Sequence, residues 1–70
     1  MEGKIKTKEH PLQYKFFSLY ANLPIAIRRE IVAVVDNEPM TFHAIYLELS
    51  NKTKMGYRAL EQMQRLDILK

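Results

Sequence analysis

Between Met40 and Leu69 the chain carries two short helical patterns interrupted by the polar break Ser50-Asn51-Lys52-Thr53. Before the break, Ile45, Leu47 and Leu49 supply the apolar positions. After it, Met55, Ala59, Leu60, Met63 and Leu66 recur at helical spacing. Two helices joined by so short a turn have to pack against each other. If the second then shows a polar, basic outer side, the pair has the shape that lays a helix in a DNA major groove. Here that side would be Lys52, Lys54, Tyr57, Arg58, Gln62 and Arg65.

The charge distribution agrees. The net charge of the 70 residues is only +3, a weak pointer to an anionic partner. Locally the imbalance is sharper. From Asn51 to Arg65 the four bases Lys52, Lys54, Arg58 and Arg65 face the single acid Glu61. From Glu30 to Glu48 there are four acids (Glu30, Asp36, Glu38, Glu48) and no lysine or arginine.

Seventy residues suffice for one domain with a modest core, a size at which oligomerisation often adds stability. Residues 1–10 read as a basic arm or an edge strand, and residues 11–70 as the domain. The absence of cysteine excludes disulfides and thiolate zinc sites. His10 and His43 lack a surrounding carboxylate cluster, so neither a metal nor a cofactor is expected. No apolar run reaches the length of a membrane span, and MEGKIKTKEH lacks the apolar centre of a signal peptide; a soluble cytoplasmic protein is expected. Enzyme chemistry finds no support: Ser18 and Ser50 have no recognisable histidine–acid partners, and two glycines cannot make a phosphate-cradling loop.

Pro11 to Leu23 reads as a first helix, proline fitting its first turn, with Leu12, Phe16, Leu19 and Leu23 on one face. Tyr14, Phe17 and Tyr20 cover an adjoining face. They serve either as further core or as a dimer interface. Leu23-Pro24 breaks this helix. Pro24 to Val35 reads as a second, central helix, with Ile27, Ile31 and Val34 on one side. Asp36-Asn37-Glu38-Pro39 is a turn. Met40 is extended, and Thr41 is the expected N-cap of a third helix, Phe42 to Leu49. A fourth runs from Thr53 or Lys54 to Leu66, and residues 67–70 read as a short strand. Gly56 inside the fourth helix costs about 1 kcal/mol against alanine, which suggests close approach either of the third helix, the favoured reading, or of the DNA backbone.

Several of these segments, taken together, resemble the winged helix-turn-helix domain of small prokaryotic transcriptional repressors of the arsenical-resistance-repressor type. The residues that carry the likeness are Leu19-Tyr20-Ala21-Asn22-Leu23-Pro24 followed by Arg28-Arg29-Glu30-Ile31-Val32, then Pro39-Met40-Thr41, Ile45 and Leu49, and Tyr57-Arg58-Ala59-Leu60 with Met63. Ile68-Leu69 resembles the first wing strand, and the rest of the wing would be missing. Aspartate stands at position 67, where the family often has glycine. The cysteine metal box that some such repressors carry in the third helix is absent, only His43 being available there. The resemblance implies a mainly helical fold of four helices, with a helix-turn-helix and at most a minimal β wing. It also implies a homodimeric repressor that meets successive major grooves of double-stranded DNA.

Residue chemistry then assigns roles. Arg58 is the expected main base reader, since arginine bonds guanine O6 and N7. Gln62 suits adenine N6 and N7, and Tyr57 a phosphate or a thymine methyl. Lys54 shares the solvent side of the helix with these three, and Lys52, Thr53 and Arg65 suit phosphates. Thr41 could offer a backbone amide to a phosphate, and His43 could meet one in the first turn of the third helix. No small-molecule effector is evident. The competing expectation is a winged-helix protein-interaction module, which would not need four bases on one helix.

Overall fold

The computed structural model describes residues 12–69, so the expected arm 1–10, the first-turn proline Pro11 and the terminal Lys70 lie outside the described residues. The element order is α1 (Gln13–Ala21), α2 (Ile25–Arg28), β1 (Ile31–Val35), β2 (Glu38–Thr41), α3 (Phe42–Ser50) and α4 (Lys54–Arg65). Among the described residues the domain is small and mostly helical, with four helices and one two-stranded antiparallel hairpin, consistent with a winged-helix-like class. No helix among the described residues is long and apolar enough to cross a membrane.

The expected long second helix, Pro24 to Val35, is corrected. Only Ile25–Arg28 is helical, a single turn entered through Pro24. Residues 31–35 are a strand. The spacing of Ile27, Ile31 and Val34 imitates a helical face, but Ile31-Val32-Ala33-Val34-Val35 is four-fifths β-branched, and such side chains lose rotamer freedom in a helix. The observed burial alternates instead: Ala33 and Val35 are buried while Val34 between them is half-exposed.

Asp36 and Asn37 close the hairpin, both at positive φ (53° and 67°), the conformation a two-residue type I′ turn needs. The pairs are Val35 with Glu38, Val34 with Pro39 and Ala33 with Met40. Counting from the two-residue turn, the Val34–Pro39 pair is one whose backbone groups point away from the partner strand, so the missing N–H of Pro39 costs the ladder nothing. The register shifts between Ile31 and Ala33, leaving Val32 as the extra residue of a bulge.

Thr41 caps α3 as expected, its hydroxyl accepting from the Ala44 N–H at 3.0 Å. Both α3 and α4 end in the same way. After α3, Lys52 takes φ 58°, and the N–H groups of Lys52 and Thr53 donate to the carbonyls of Leu49 and Glu48. After α4, Asp67 takes φ 66°, and the N–H groups of Asp67 and Ile68 donate to Gln64 and Met63. These are Schellman caps built without glycine. Asp67 thus adopts the turn that glycine would give. The expected strand at 67–70 is corrected over its described residues: the chain at 67–69 folds back on α4, the Leu69 N–H also reaching the Met63 carbonyl, with the Leu69 side chain buried. The hairpin therefore precedes α3 rather than following α4.

The centre of the core is Phe16, Ile45, Leu49, Leu60 and Met63, all fully buried, with Ala33, Val35 and Met40 joining from the hairpin. Gly56 lies where α4 crosses the end of α3. A Cβ there would stand 3.0 Å from the Leu49 nitrogen and 3.1 Å from the Glu48 carbonyl carbon. Close helix packing accounts for this glycine.

Candidate nucleic-acid interface

The last two helices are joined by Asn51, Lys52 and Thr53. Along α4, Gly56, Ala59, Leu60 and Met63 form the buried stripe. Opposite it, Lys54, Arg58, Glu61 and Arg65 follow one another at spacings of four, three and four residues, so they share the exposed face. Lys52 is exposed just ahead of them. The structure thus brings three of the expected DNA-contacting bases together on one face, with a fourth, Lys52, exposed in the turn before it.

It ties down the two residues chosen as base readers. Gln62 turns sideways onto the outer edge of β1. Its amide Nε2 donates to the Val34 carbonyl at 2.7 Å, and the Val34 N–H donates to its Oε1 at 2.6 Å. These are the outward backbone groups of the Val34–Pro39 pair, so the side chain stands in for one residue of a third strand. Arg58 pairs with Asp36 at the tip of the hairpin, through Nη1 and Oδ2. Both partners are more than half exposed, at 57% and 62%. The four-residue face of α4 and the hairpin tip are therefore linked by one surface ion pair.

Thr53 is also committed. Its hydroxyl accepts from the Gly56 N–H at 3.2 Å, capping α4, and donates to Glu48 Oε1 at 2.6 Å. Together with the Thr53 N–H to Glu48 carbonyl bond of 3.1 Å, this fixes the path from α3 into α4. Thr41 spends its hydroxyl on its own cap. Tyr57 is half-buried against the core rather than projecting from α4.

His43 lies in the first turn of α3, its Nδ1 3.0 Å from the Tyr20 hydroxyl. That contact belongs to an aromatic cluster between α1 and α3. Tyr20 and Tyr46 stack at 4.5 Å with their planes 6° apart, and Phe17 and Tyr46 form a T-shaped pair at 5.8 Å. Of the expected dimer residues, Tyr20 is therefore buried inside the protomer and Phe17 half-buried, which leaves Tyr14, 67% exposed, as the one of the three facing outward. The second apolar face of α1 finds its cover in Tyr46, the side chain that the sequence reading left out. Arg28 was missed as well: its guanidinium carbon lies 4.4 Å from the centre of the Tyr20 ring. The adjacent bases Arg28 and Arg29, just after a proline-started turn, were the available signal.

Among the described residues no group of three His, Asp or Glu side chains could hold a metal ion. No protein-family model, no curated protein and no solved structure matches the chain.

Proposed function

We propose that this domain binds double-stranded DNA with α3 and α4 acting as a helix-turn-helix and the outer face of α4 set in the major groove, and that it regulates transcription as a homodimer. The carrying observation is the row Lys54, Arg58 and Arg65 on the face of α4 turned away from the core, with Lys52 in the turn before it and Glu61 as the single acid in the row.

The internal partners sharpen the roles. An exposed ion pair such as Arg58–Asp36 contributes about 0–1 kcal/mol. A bidentate arginine–guanine contact is worth about 1–3 kcal/mol in discrimination. Arg58 therefore gives up Asp36 for a guanine at a net gain, and Asp36 disfavours sites that offer none. Gln62 would have to abandon two backbone bonds worth together about 1–3 kcal/mol, which an adenine contact of similar size does not exceed. It stays on the strand. Base reading falls to Arg58, and Lys52, Lys54 and Arg65 meet phosphates.

The test is fluorescence anisotropy of a labelled random duplex at several salt concentrations. Each phosphate neutralised contributes a slope of roughly 0.9 in log K against log salt, so three give about 2.7 per protomer. A flat salt dependence, or no binding at low salt, removes the proposal. The second reading, a protein-interaction module, draws on the outward apolar side chains Tyr14, Ile25, Ile31 and Leu66, each more than half exposed. Absence of duplex binding at low salt would favour it.

A further inference from the structure

Two adjoining concavities open beside the aromatic cluster, of about 590 Å³ and about 310 Å³, sharing Tyr20 and Arg28 as a common wall. The larger is faced by Phe17 and Tyr46 from α1 and α3, the smaller by Arg29 and His43. From this we infer that the cleft between α1, α2 and α3 binds a small organic anion. Its planar ring lies against the tyrosine–phenylalanine wall, and its carboxylate or phosphate meets Arg28, Arg29 and His43.

Three observations converge on an anion. First, among the described residues the two concavities together are lined by two arginines and a histidine and by no carboxylate. Cationic groups gathered without a counter-charge repel one another, and an anionic occupant relieves that repulsion. Second, Arg28 holds unused donor capacity. One Nη2–H reaches the Ala21 carbonyl at a long 3.4 Å, while its buried Nε has no hydrogen-bond partner among the described residues. The Nη donors not used on Ala21 are therefore left for an acceptor in the cleft. Third, the ring beside it is already oriented. Stacking on Tyr46 and the hydroxyl contact to His43 Nδ1 hold Tyr20 from two directions. In the tautomer where Tyr20 donates to Nδ1, the His43 proton sits on Nε2, which is then a donor for the same anion.

The volumes fit a ligand of one or two rings. A nucleic-acid backbone would use the charges but not the aromatic wall, and a neutral ring the wall but not the charges. The shared Tyr20–Arg28 border favours a molecule with both. This inference stands apart from the DNA reading, because none of these residues is among the proposed DNA contacts Lys52, Lys54, Arg58 and Arg65.

The test is a two-dimensional NMR titration of the full ¹⁵N-labelled chain with 2-naphthoate, 2-naphthamide and inorganic phosphate. Naphthoate is expected to give saturable shifts centred on Tyr20, Arg28 and His43. Loss of the charge-assisted bonds should weaken naphthamide by roughly tenfold or more, and loss of the ring contacts should weaken phosphate likewise. Arg28→Gln removes the stack on Tyr20 and can disturb the fold, so Arg29→Gln is the companion variant, expected to weaken naphthoate several-fold at an unchanged melting temperature. Equal binding of naphthoate and naphthamide, no saturable shift, or wild-type naphthoate affinity in Arg29→Gln overturns the inference. So does a loss of duplex affinity in Arg29→Gln without any naphthoate binding, which would reassign the cluster to DNA phosphates.

Discussion

The double bond between Gln62 and Val34 separates a structural from a base-reading role, and Gln62→Ala tests it directly. The variant loses two hydrogen bonds to the strand edge, each worth a net ~0.5–1.5 kcal/mol. Val34 is 50% exposed, so water can solvate the freed N–H and carbonyl, which puts the loss toward the lower end of that range. Alanine regains a few tenths of a kcal/mol of helix propensity. A net destabilisation of about 1 kcal/mol follows, or a fall of about 4–8 °C in Tm for a domain of this size. Gln62→Glu is the sharper variant. Its carboxylate can still accept from the Val34 N–H, but its other oxygen faces the Val34 carbonyl with no proton to share, so it should be at least as destabilising as alanine. Urea unfolding of wild type and both variants gives the energies, and amide exchange at Val34 gives the local readout. The strand role further requires that Gln62→Ala weaken binding to all duplexes alike, through stability, without relaxing preference at any one base pair. Wild-type stability and unchanged Val34 exchange in Gln62→Ala, with selective loss at an adenine position, would refute the reasoning and return Gln62 to the groove.

The same logic sorts the neighbouring positions. Arg58→Ala should change stability by no more than about 1 kcal/mol, the pair with Asp36 being exposed, while costing about 1–3 kcal/mol in specific affinity for a selected site; parallel melts and titrations check both. Lys52→Gly replaces a side chain held at φ 58° by the residue that prefers it, so Tm should rise by the equivalent of about 1 kcal/mol while the salt slope of duplex binding falls by about 1. Gly56→Ala gains about 1 kcal/mol of helix propensity but places a Cβ 3.0 Å from the Leu49 nitrogen, backbone that cannot move aside cheaply. Overpacking of about 1–3 kcal/mol should prevail, giving a lower urea midpoint.

What could be read from the sequence follows the range of the interactions responsible. The third and fourth helices were legible because their causes are local: apolar periodicity over a few turns, and the caps Thr41 and Thr53, each bonding an N–H three residues on. The segment 25–35 misled because Ile27, Ile31 and Val34 satisfy a helical template, whereas the deciding preferences were those of β-branched side chains and of Asp36-Asn37, two residues that tolerate positive φ. The expected site was mixed for the same reason. Lys54, Arg58 and Arg65 share a face by helix geometry alone. The ties that occupy Arg58, Gln62 and His43 span 22, 28 and 23 residues, and no local pattern announces them. Arginine and glutamine suit base edges because they present donors and acceptors in a fixed planar array, and that property also makes them good partners for a carboxylate or a strand edge. Which of the two they serve depends on whether the fold leaves such an edge within reach. Here the hairpin does so on the Val34 side, and Gln62, one turn of α4 beyond Arg58, takes it.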